Sequence, residues 1–496
     1  MWIVCITSVR HVLTVNGYGG RQTKENEKSW CFKGWETLVR NIMWIAGLLF
    51  VGACSGGKDP LESDSDSVVK TYIFPDDFTN DLVGKEVTLK NAMFVSSTYK
   101  GSATGNITLS SQVLRTPTDK VMPGTSDYKK ALEENMRNKL VLIPGEIVLT
   151  DEDHTLRVGT RMENLKGKVS VSGDNYALTI TDRPVIKENR RPQVPEVGKY
   201  NMKVASMNLE YYMASPSMWG HSNGAKDEAA FQRQRKKVLA AMKEIDADVY
   251  AICEIEEGDY SVNELVQALN EEYGVTGKYK GIDSGDKKIT SYTKNAFIYD
   301  TERVSPYMDF KTYEGTYLVL RHVAQCFELK ENGSRVILTM NHFKSKSGNN
   351  ATGGDKDQQD GQSQFNSRRV QEAKDCLLTY ENLKKYYGDT DVLVLGDLNS
   401  YSNEDPVRIF TEAGYTNELQ KYTPDSWSYI YQGEVGYLDH SLSSSTLTGQ
   451  VTGAAPWDIN ASEPAYFEYQ YTSFFQPNPY RYSDHNPIIT GLKLTD

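Results

Sequence analysis

The chain has 496 residues, enough for about two to three domains and a large core. Its hydrophobic share of 39% and charged share of 24% are those of a soluble globular protein. A formal net charge of −11 excludes tight, metal-free binding of nucleic acid by charge alone, since phosphate affinity is ordinarily supplied by Lys and Arg; it leaves open a metal-dependent phosphoesterase, where a bound cation reverses the local field.

The one long apolar stretch, Ile42 to Ala53, is too short to span a bilayer as a helix and reads as the centre of a secretory signal. Its end, Val51-Gly52-Ala53-Cys54, resembles a bacterial lipobox and is followed by a Ser, Asp and Gly tether. That resemblance implies a lipid anchor on Cys54, hence a membrane partner and a bacterial cell-envelope location, on the outer membrane or cell surface. Met1 to Leu38 carry no readable pattern, so translation is expected to start near Val39 or Met43. Residues 1–53 are then an over-extended N-terminus plus signal peptide, and 54–70 a flexible tether. Cys253, Cys326 and Cys376 lie in apolar contexts with no CxxC or metal spacing and read as buried free thiols, with one bridge left open.

Residues 71–187 read as short strands broken by turn residues (EVTLKNAMFV, GNITLSS, KLVLIPGEIVLT, YALTITDRPVI), with one helix, Ser126 to Asn138, capped by Ser or Asp. A small all-β OB-like domain fits this pattern. Nothing in it looks catalytic, and His154 reads as a surface histidine. Residues 188–199 form a Pro-rich linker whose Arg190 and Arg191 face water or phosphate. From residue 200 to 496, strands and helices alternate in a mixed order that suggests a layered α/β sandwich. The basic run Gln232 to Lys237 is expected on a solvated helix face. Gly348 to Gln364, a polar loop after His342 and Lys344, is expected to be a substrate-facing lid or disordered. Arg368 and Arg369 open the next helix, facing phosphate or solvent.

Polar clusters end several of the predicted strands: SMNLE at Asn208, ICEIEE at Glu254, MNHFKS at His342, VLVLGDLNS at Asp397 and Asn399, and GYLDHSL at Asp439, while YSDHNP, with Asp484 and His485, stands just before the closing strand. Loops at such ends are where sites are assembled. Phosphodiester hydrolysis needs an activated water, neutralisation of phosphate charge and help for the leaving alkoxide, which carboxylates and amides around one hard cation can supply. Glu254 and Asp484 are candidate metal ligands, with Asn208 an oxygen ligand or an orienting amide. His485 pairs with Asp439, which fixes its tautomer. Asn399 is expected to donate to the scissile phosphate, Asp397 to orient the water or share its proton, and His342 to contact the phosphate from the other side. Strand alternation puts His440 on the face opposite Asp439.

In this order the motifs resemble the endonuclease/exonuclease/phosphatase superfamily over roughly Lys203 to Leu494. The resemblance implies an α+β fold, a four-layered α/β/β/α sandwich like that of pancreatic-type deoxyribonucleases, here preceded by the OB-like domain. It also implies metal ligation by Asn208, Glu254 and Asp484 and catalytic roles for His342, Asp397, Asn399, Asp439 and His485, with Mg2+ or Mn2+, or Ca2+, as cofactor. TLRVGTRMENLKGKV and the Pro-rich joint into KVASMNLEYY are similar to bacterial extracellular nucleases, implying a secreted, membrane-anchored nuclease acting on DNA or RNA. Those nucleases commonly carry an amide at the position of Glu257 and cysteines in the loop after His342, both absent here. The alternatives are therefore a phosphoesterase acting on phospholipid head groups or on sugar or inositol phosphates, and a surface binding protein with an inactive second domain. No protein partner is indicated.

Overall fold

A computed structural model describes residues 70–98, 105–150, 155–282, 292–312 and 321–495, all within one compact unit. Cys54 with its lipobox, the tether up to residue 69 and His154 lie outside the described residues. No helix among the described residues is long and apolar enough to cross a membrane.

The first strands are β1 (Thr71–Tyr72), β2 (Glu86–Leu89), β3 (Met93–Ser97), β4 (Ile107–Ser110), β5 (Lys139–Ile143), β6 (Arg161–Glu163), β7 (Lys166–Ser172), β8 (Asn175–Ile180) and β9 (Val185–Lys187). They hydrogen-bond in the order β1-β2-β7-β8-β5-β4-β3-β6-β9. Because β2 runs on into β3 and β6 into β7, the pairings β2–β7 and β3–β6 join the same two bent segments at opposite ends of the ladder, and the sheet closes into a barrel. Alternation along β7 turns Val169 inward onto Leu140, Leu142, Met162 and Leu178 and leaves Lys166 and Lys168 outside. Helix α1 (Ser126–Arg137) is capped by Thr125, whose Oγ1 accepts from Tyr128 N, instead of by the expected Ser or Asp.

The larger part is built on two six-stranded sheets. One contains β10 (Met202–Tyr212), β11 (Val249–Glu256), β12 (Tyr279–Gly281) and β13 (Thr293–Asp300), completed by β22 (Val451–Pro456) and β23 (Ile488–Leu492). The other contains β14 (Val304–Thr312), β15 (His322–Leu329), β16 (Arg335–His342), β17 (Val392–Asp397), β18 (Thr416–Asn417) and β21 (Asp439–Ser443). Between β18 and β21 in sequence, β19 (Tyr429–Tyr431) and β20 (Glu434–Gly436) form a separate hairpin.

Three apolar cores define the layers. Val204, Val249, Ala251 and Phe297 of the first sheet meet Val323, Phe327, Leu338 and Leu393 of the second. Outside the first sheet pack α2 (Glu228–Ile245) and α3 (Tyr260–Glu272), through Val238, Met242, Leu265 and Leu269. Outside the second pack α4 (Asn366–Tyr387) and α5 (Asp405–Glu412), through Ala373, Tyr380, Val407 and Phe410. Cys253, Cys326 and Cys376 are free and buried.

Several charges expected in solvent are buried instead. On α2, Lys237 is 1% exposed and donates to Tyr480 O at 2.7 Å, while Gln234 donates to Leu209 O and Glu210 O. Arg369 is fully buried and donates to Lys344 O, Gln364 O and Gln362 O, so it belongs neither to a solvated helix start nor to a phosphate site. Its bonds hold the 348–364 loop at its base, and Gly361 lies so close to Tyr128 and Thr118 that a Cβ there would clash with both. Gly124 N donates to Asp360 O at 2.9 Å, so the loop is tied to the barrel region instead of being a free lid. Arg191 forms a two-bond pair with Glu463 and lies over the Tyr480 ring at 4.1 Å, a packed role rather than a linker charge in water.

Candidate active site

Strand register gathers the polar clusters. His342, Asp397 and Asp439 stand directly opposite one another on three adjacent strands, β16, β17 and β21. In the other sheet Asn208 and Glu254 end the parallel pair β10 and β11, and β23, antiparallel to β10, begins just after Asp484 and His485, with Ile488 opposite Ser206. All these residues therefore emerge at the same end of the two packed sheets.

Backbone irregularity aims them. The register of β10 on β11 shifts between Asn208 and Tyr212, and that of β11 on β13 between Ile252 and Ile255. Glu210, Tyr211 and Glu254 have φ of 48°, 57° and 57°. Such bulges re-aim side chains at sheet ends, and the left-handed φ costs of the order of 1 kcal/mol per residue. Asn399 is left-handed too, with φ 47°, and its N–H donates to Asp397 Oδ1 at 2.8 Å.

The side chains line one space. Asn208 Nδ2 donates to Glu254 Oε1 at 3.2 Å while its Oδ1 accepts from Glu210 N, the geometry of an orienting amide. His342 Nε2 lies 3.6 Å from Glu254 Oε1 and 3.8 Å from Asp397 Oδ2. His485 Nε2 lies 3.9 Å from both Asp397 Oδ2 and Asp484 Oδ1. These separations exceed direct hydrogen bonds, so the atoms surround a gap rather than satisfy each other. By contrast, His485 Nδ1 donates to Asp439 Oδ2 at 2.7 Å, and the Tyr429 ring stacks on the imidazole at 4.6 Å. Asn399 Nδ2 donates to Phe343 O at 3.1 Å, leaving its second amide proton for another acceptor. His440 turns away to Ser400 O at 2.8 Å, on the side opposite Asp439.

Electrostatics separates the groups. Burial, reinforced by Asp439, pushes Asp397 up to about 8, against the opposing pull of His485. Burial alone would lower His485, but Asp439, Asp484 and Asp397 together hold it well above the usual histidine range. His342 is held well below that range by burial and by the Arg321 guanidinium. Burial followed by Asp484 raises Glu254. Glu210 is raised well above its ordinary value by burial and then by Asp484, and its Oε2 is buried with no hydrogen-bond partner.

Facing carboxylates, one of them with an orphaned oxygen, make a donor set that fits a hard divalent cation. Glu254, His342 and Asp397 bring ligand atoms within 4.8 Å of one another, as do Asp397, Asp439 and His485. Asp484 is outside both groups, yet with 35% of its side chain exposed it borders the open side. Glu210, Arg321, Tyr429 and Arg481 escape the motif reading. Glu210 lies two residues after Asn208 within the same motif, a signal available to alternation, whereas Arg321 and Tyr429 reach the site only through the packing of β15 and the β19–β20 hairpin.

The sequence profile of the Endonuclease/Exonuclease/phosphatase family matches residues 208–485, more than half of the chain and the span from the first site residue to the last. The chain belongs to this family. The endonuclease/exonuclease/phosphatase family is one of phosphoester hydrolases, typically dependent on a divalent metal. Among solved structures, the family protein of Bacteroides vulgatus is similar at 16% identity and TM-score 0.39, covering 59% of this chain and 99% of that one. The human Nocturnin catalytic domain with bound sulfate matches at 16% and 0.39, over 59% and 93%. A mannosyl-6-phosphatase of Bacteroides thetaiotaomicron matches at 15% and 0.37, over 59% and 99%. No curated protein matches the chain.

Proposed function

We propose that this family member is a divalent-metal-dependent phosphodiesterase that cuts DNA or RNA. The observation that carries the reading is the gap bordered by His485 Nε2, Asp397 Oδ2, His342 Nε2 and Glu254 Oε1, with every bordering group tuned by burial or charge. Nucleic acid is favoured over other phosphodiesters by the nuclease-like junction around KVASMNLEYY and by the barrel. Its closed order, its parallel β5–β8 pair and its two bent segments suit an OB-like domain.

Glu254 and Asp484 are the groups to hold the cation, with Asn208 orienting Glu254. When bound, magnesium or manganese supplies positive charge against the phosphate oxygens. With Nδ1 committed to Asp439, His485 presents Nε2 to the gap. Burial raises Asp397, favouring a proton on its carboxyl beside His485 Nε2, and Asp397 and His485 together move the proton of the attacking water. His342 and the free amide proton of Asn399 contact the phosphate oxygens. The lipobox supports an envelope lipoprotein anchored through Cys54.

The test incubates protein from Ser55 onward with plasmid DNA, structured RNA, phospholipids and sugar phosphates, with and without EDTA. Metal-dependent cutting of nucleic acid, lowered about 10²–10⁴-fold in His485→Ala, is expected. Intact nucleic acids together with released head group or inorganic phosphate would overturn the nuclease reading in favour of a small phosphoester, an alternative that the net charge of −11 supports.

A further inference from the structure

The short 3-10 helix Pro117–Asp119, between β4 and α1 of the barrel region, packs against the segments that follow Asn399 and precede Asp439. Thr118 and Asp119 are 0% and 1% exposed. Asp119 Oδ2 pairs with Arg115 Nη1 at 2.5 Å. Its Oδ1 accepts from Ser402 Oγ at 2.8 Å and, at 3.4 Å, from the N–H groups of Ser402 and Tyr437. Ser402 lies three residues after Asn399, and Tyr437 two before Asp439. One carboxylate oxygen therefore ties the segment leaving Asp397 and Asn399 to the segment entering Asp439. The main chain adds to the grip, since Asn403 donates to Thr118 O and to Asp119 O, each at 3.0 Å.

The paired arginine extends it. Arg115 Nη2 donates to Asp425 O at 2.7 Å and Ser426 O at 2.9 Å, fixing the approach to Ser428. Ser428 Oγ accepts from Leu438 N and Asp439 N, and Ser428 O accepts from Asn486 N, next to His485. The Arg115–Asp119 pair thus braces both partners of the Asp439–His485 bond from outside the span matched by the family profile, 208–485.

We propose that Asp119 is a positioning residue for the reaction, setting the Asp397, Asp439 and His485 geometry, so that the barrel is a structural part of the catalytic apparatus. This rests on the proposed phosphodiesterase reading. A displacement of about 1 Å in such groups costs up to about 10²-fold in rate without touching substrate.

The test uses the full chain with Asp119→Asn, Asp119→Glu and, as a gentler change removing one bond to Asp119, Ser402→Ala. Melting temperature, kcat and KM on plasmid DNA are measured, together with the low-field proton resonance of His485 Nδ1–H, assigned by its loss in His485→Gln. Expected are a folded Asp119→Asn protein with kcat lowered about 10- to 10²-fold at unchanged KM, a shifted or broadened resonance, and partial recovery in Asp119→Glu. A lower melting temperature with kcat and resonance unchanged would overturn the proposal. If Asp119→Asn does not fold, Ser402→Ala decides by the same readouts. If the wild type cuts no nucleic acid, the functional reading fails by itself, and the resonance still decides whether Asp119 sets the His485–Asp439 geometry.

Discussion

Gly396 is where the site is least tolerant. Its φ is +119° and a Cβ there would stand 2.0 Å from Asn341 O, because β16 and β17 must approach closely for His342 to face Asp397. Gly396→Ala is expected to cost about 3 kcal/mol or more, combining strain with a backbone clash, read as a lowered urea midpoint. Asp439 acts through orientation: it accepts from His485 Nδ1 and so leaves Nε2 facing the gap. Asp439→Asn presents the wrong partner to that nitrogen and is expected to reduce kcat by roughly 10²–10⁴-fold with little change in KM, measured by initial-rate kinetics on plasmid DNA. Equal activity in the variant would remove Asp439 from the mechanism.

At the scale of elements, α2 carries an unusual charge for a packed face. Burial lowers Lys237 to about 7, with Arg191 adding to the shift and Glu463 opposing it. Below about pH 7 this lysine is charged in both folded and unfolded chains, and the fold bears the full cost of burying it. Between the folded value of about 7 and the unfolded value of 10.5 only the unfolded chain keeps the proton, so this contribution to stability rises with pH. Relative to Lys237→Met, the wild type is therefore expected to gain roughly 2–3 kcal/mol between about pH 7 and about pH 9. Urea titrations of both proteins across that range check this, and a pH-independent difference would mean Lys237 is not desolvated in solution. The bulged ends of β10 and β11 make the complementary point: regular strands would continue Asn208 and Glu254 along the ladder, and it is the register shift that turns them to the gap.

For the whole molecule, the barrel and the sandwich share buried charge. Arg157, 1% exposed on the barrel side, pairs with Glu463, 0% exposed, at 2.8 Å and with Asp458 at 2.9 Å. Asp458 in turn accepts from Asn486, the residue after His485. Arg157→Ala leaves Glu463 with Arg191 as its remaining guanidinium and removes the ion pair of Asp458, and is expected to cost about 1–3 kcal/mol, as a shift of one unfolding transition; two separate transitions would show that the two parts unfold independently. The facing carboxylates predict cation-linked stability as well. Magnesium or manganese at about 100 times its dissociation constant is expected to add about 2.7 kcal/mol, seen as a rise in melting temperature that Glu254→Gln reduces. No rise would count against a cation at Glu254.

The local sequence was enough for the elements and for the chemistry each brings. Apolar runs leading into SMNLE and GDLNS marked strand ends, SDHNP marked the start of the closing strand, and Asp227, whose side chain accepts from Ala230 N, and Gly388, left-handed at 67°, bounded their helices as capping chemistry requires. Alternation alone separated Asp439 from His440. Periodicity reports which face of an element is buried only when the buried face is apolar, so Lys237 read as solvated, and Arg369 and Arg191 as facing water or phosphate, although their partners are carbonyls and carboxylates brought up by other segments. For the same reason Asp119, nearly 300 residues from Ser402 and more than 300 from Tyr437, carried no readable signal. Composition and spacing along the chain determined the groups available for catalysis; which of them face one gap, and which distant charges hold them there, was decided by strand register and by the docking of the barrel, both set by non-local packing.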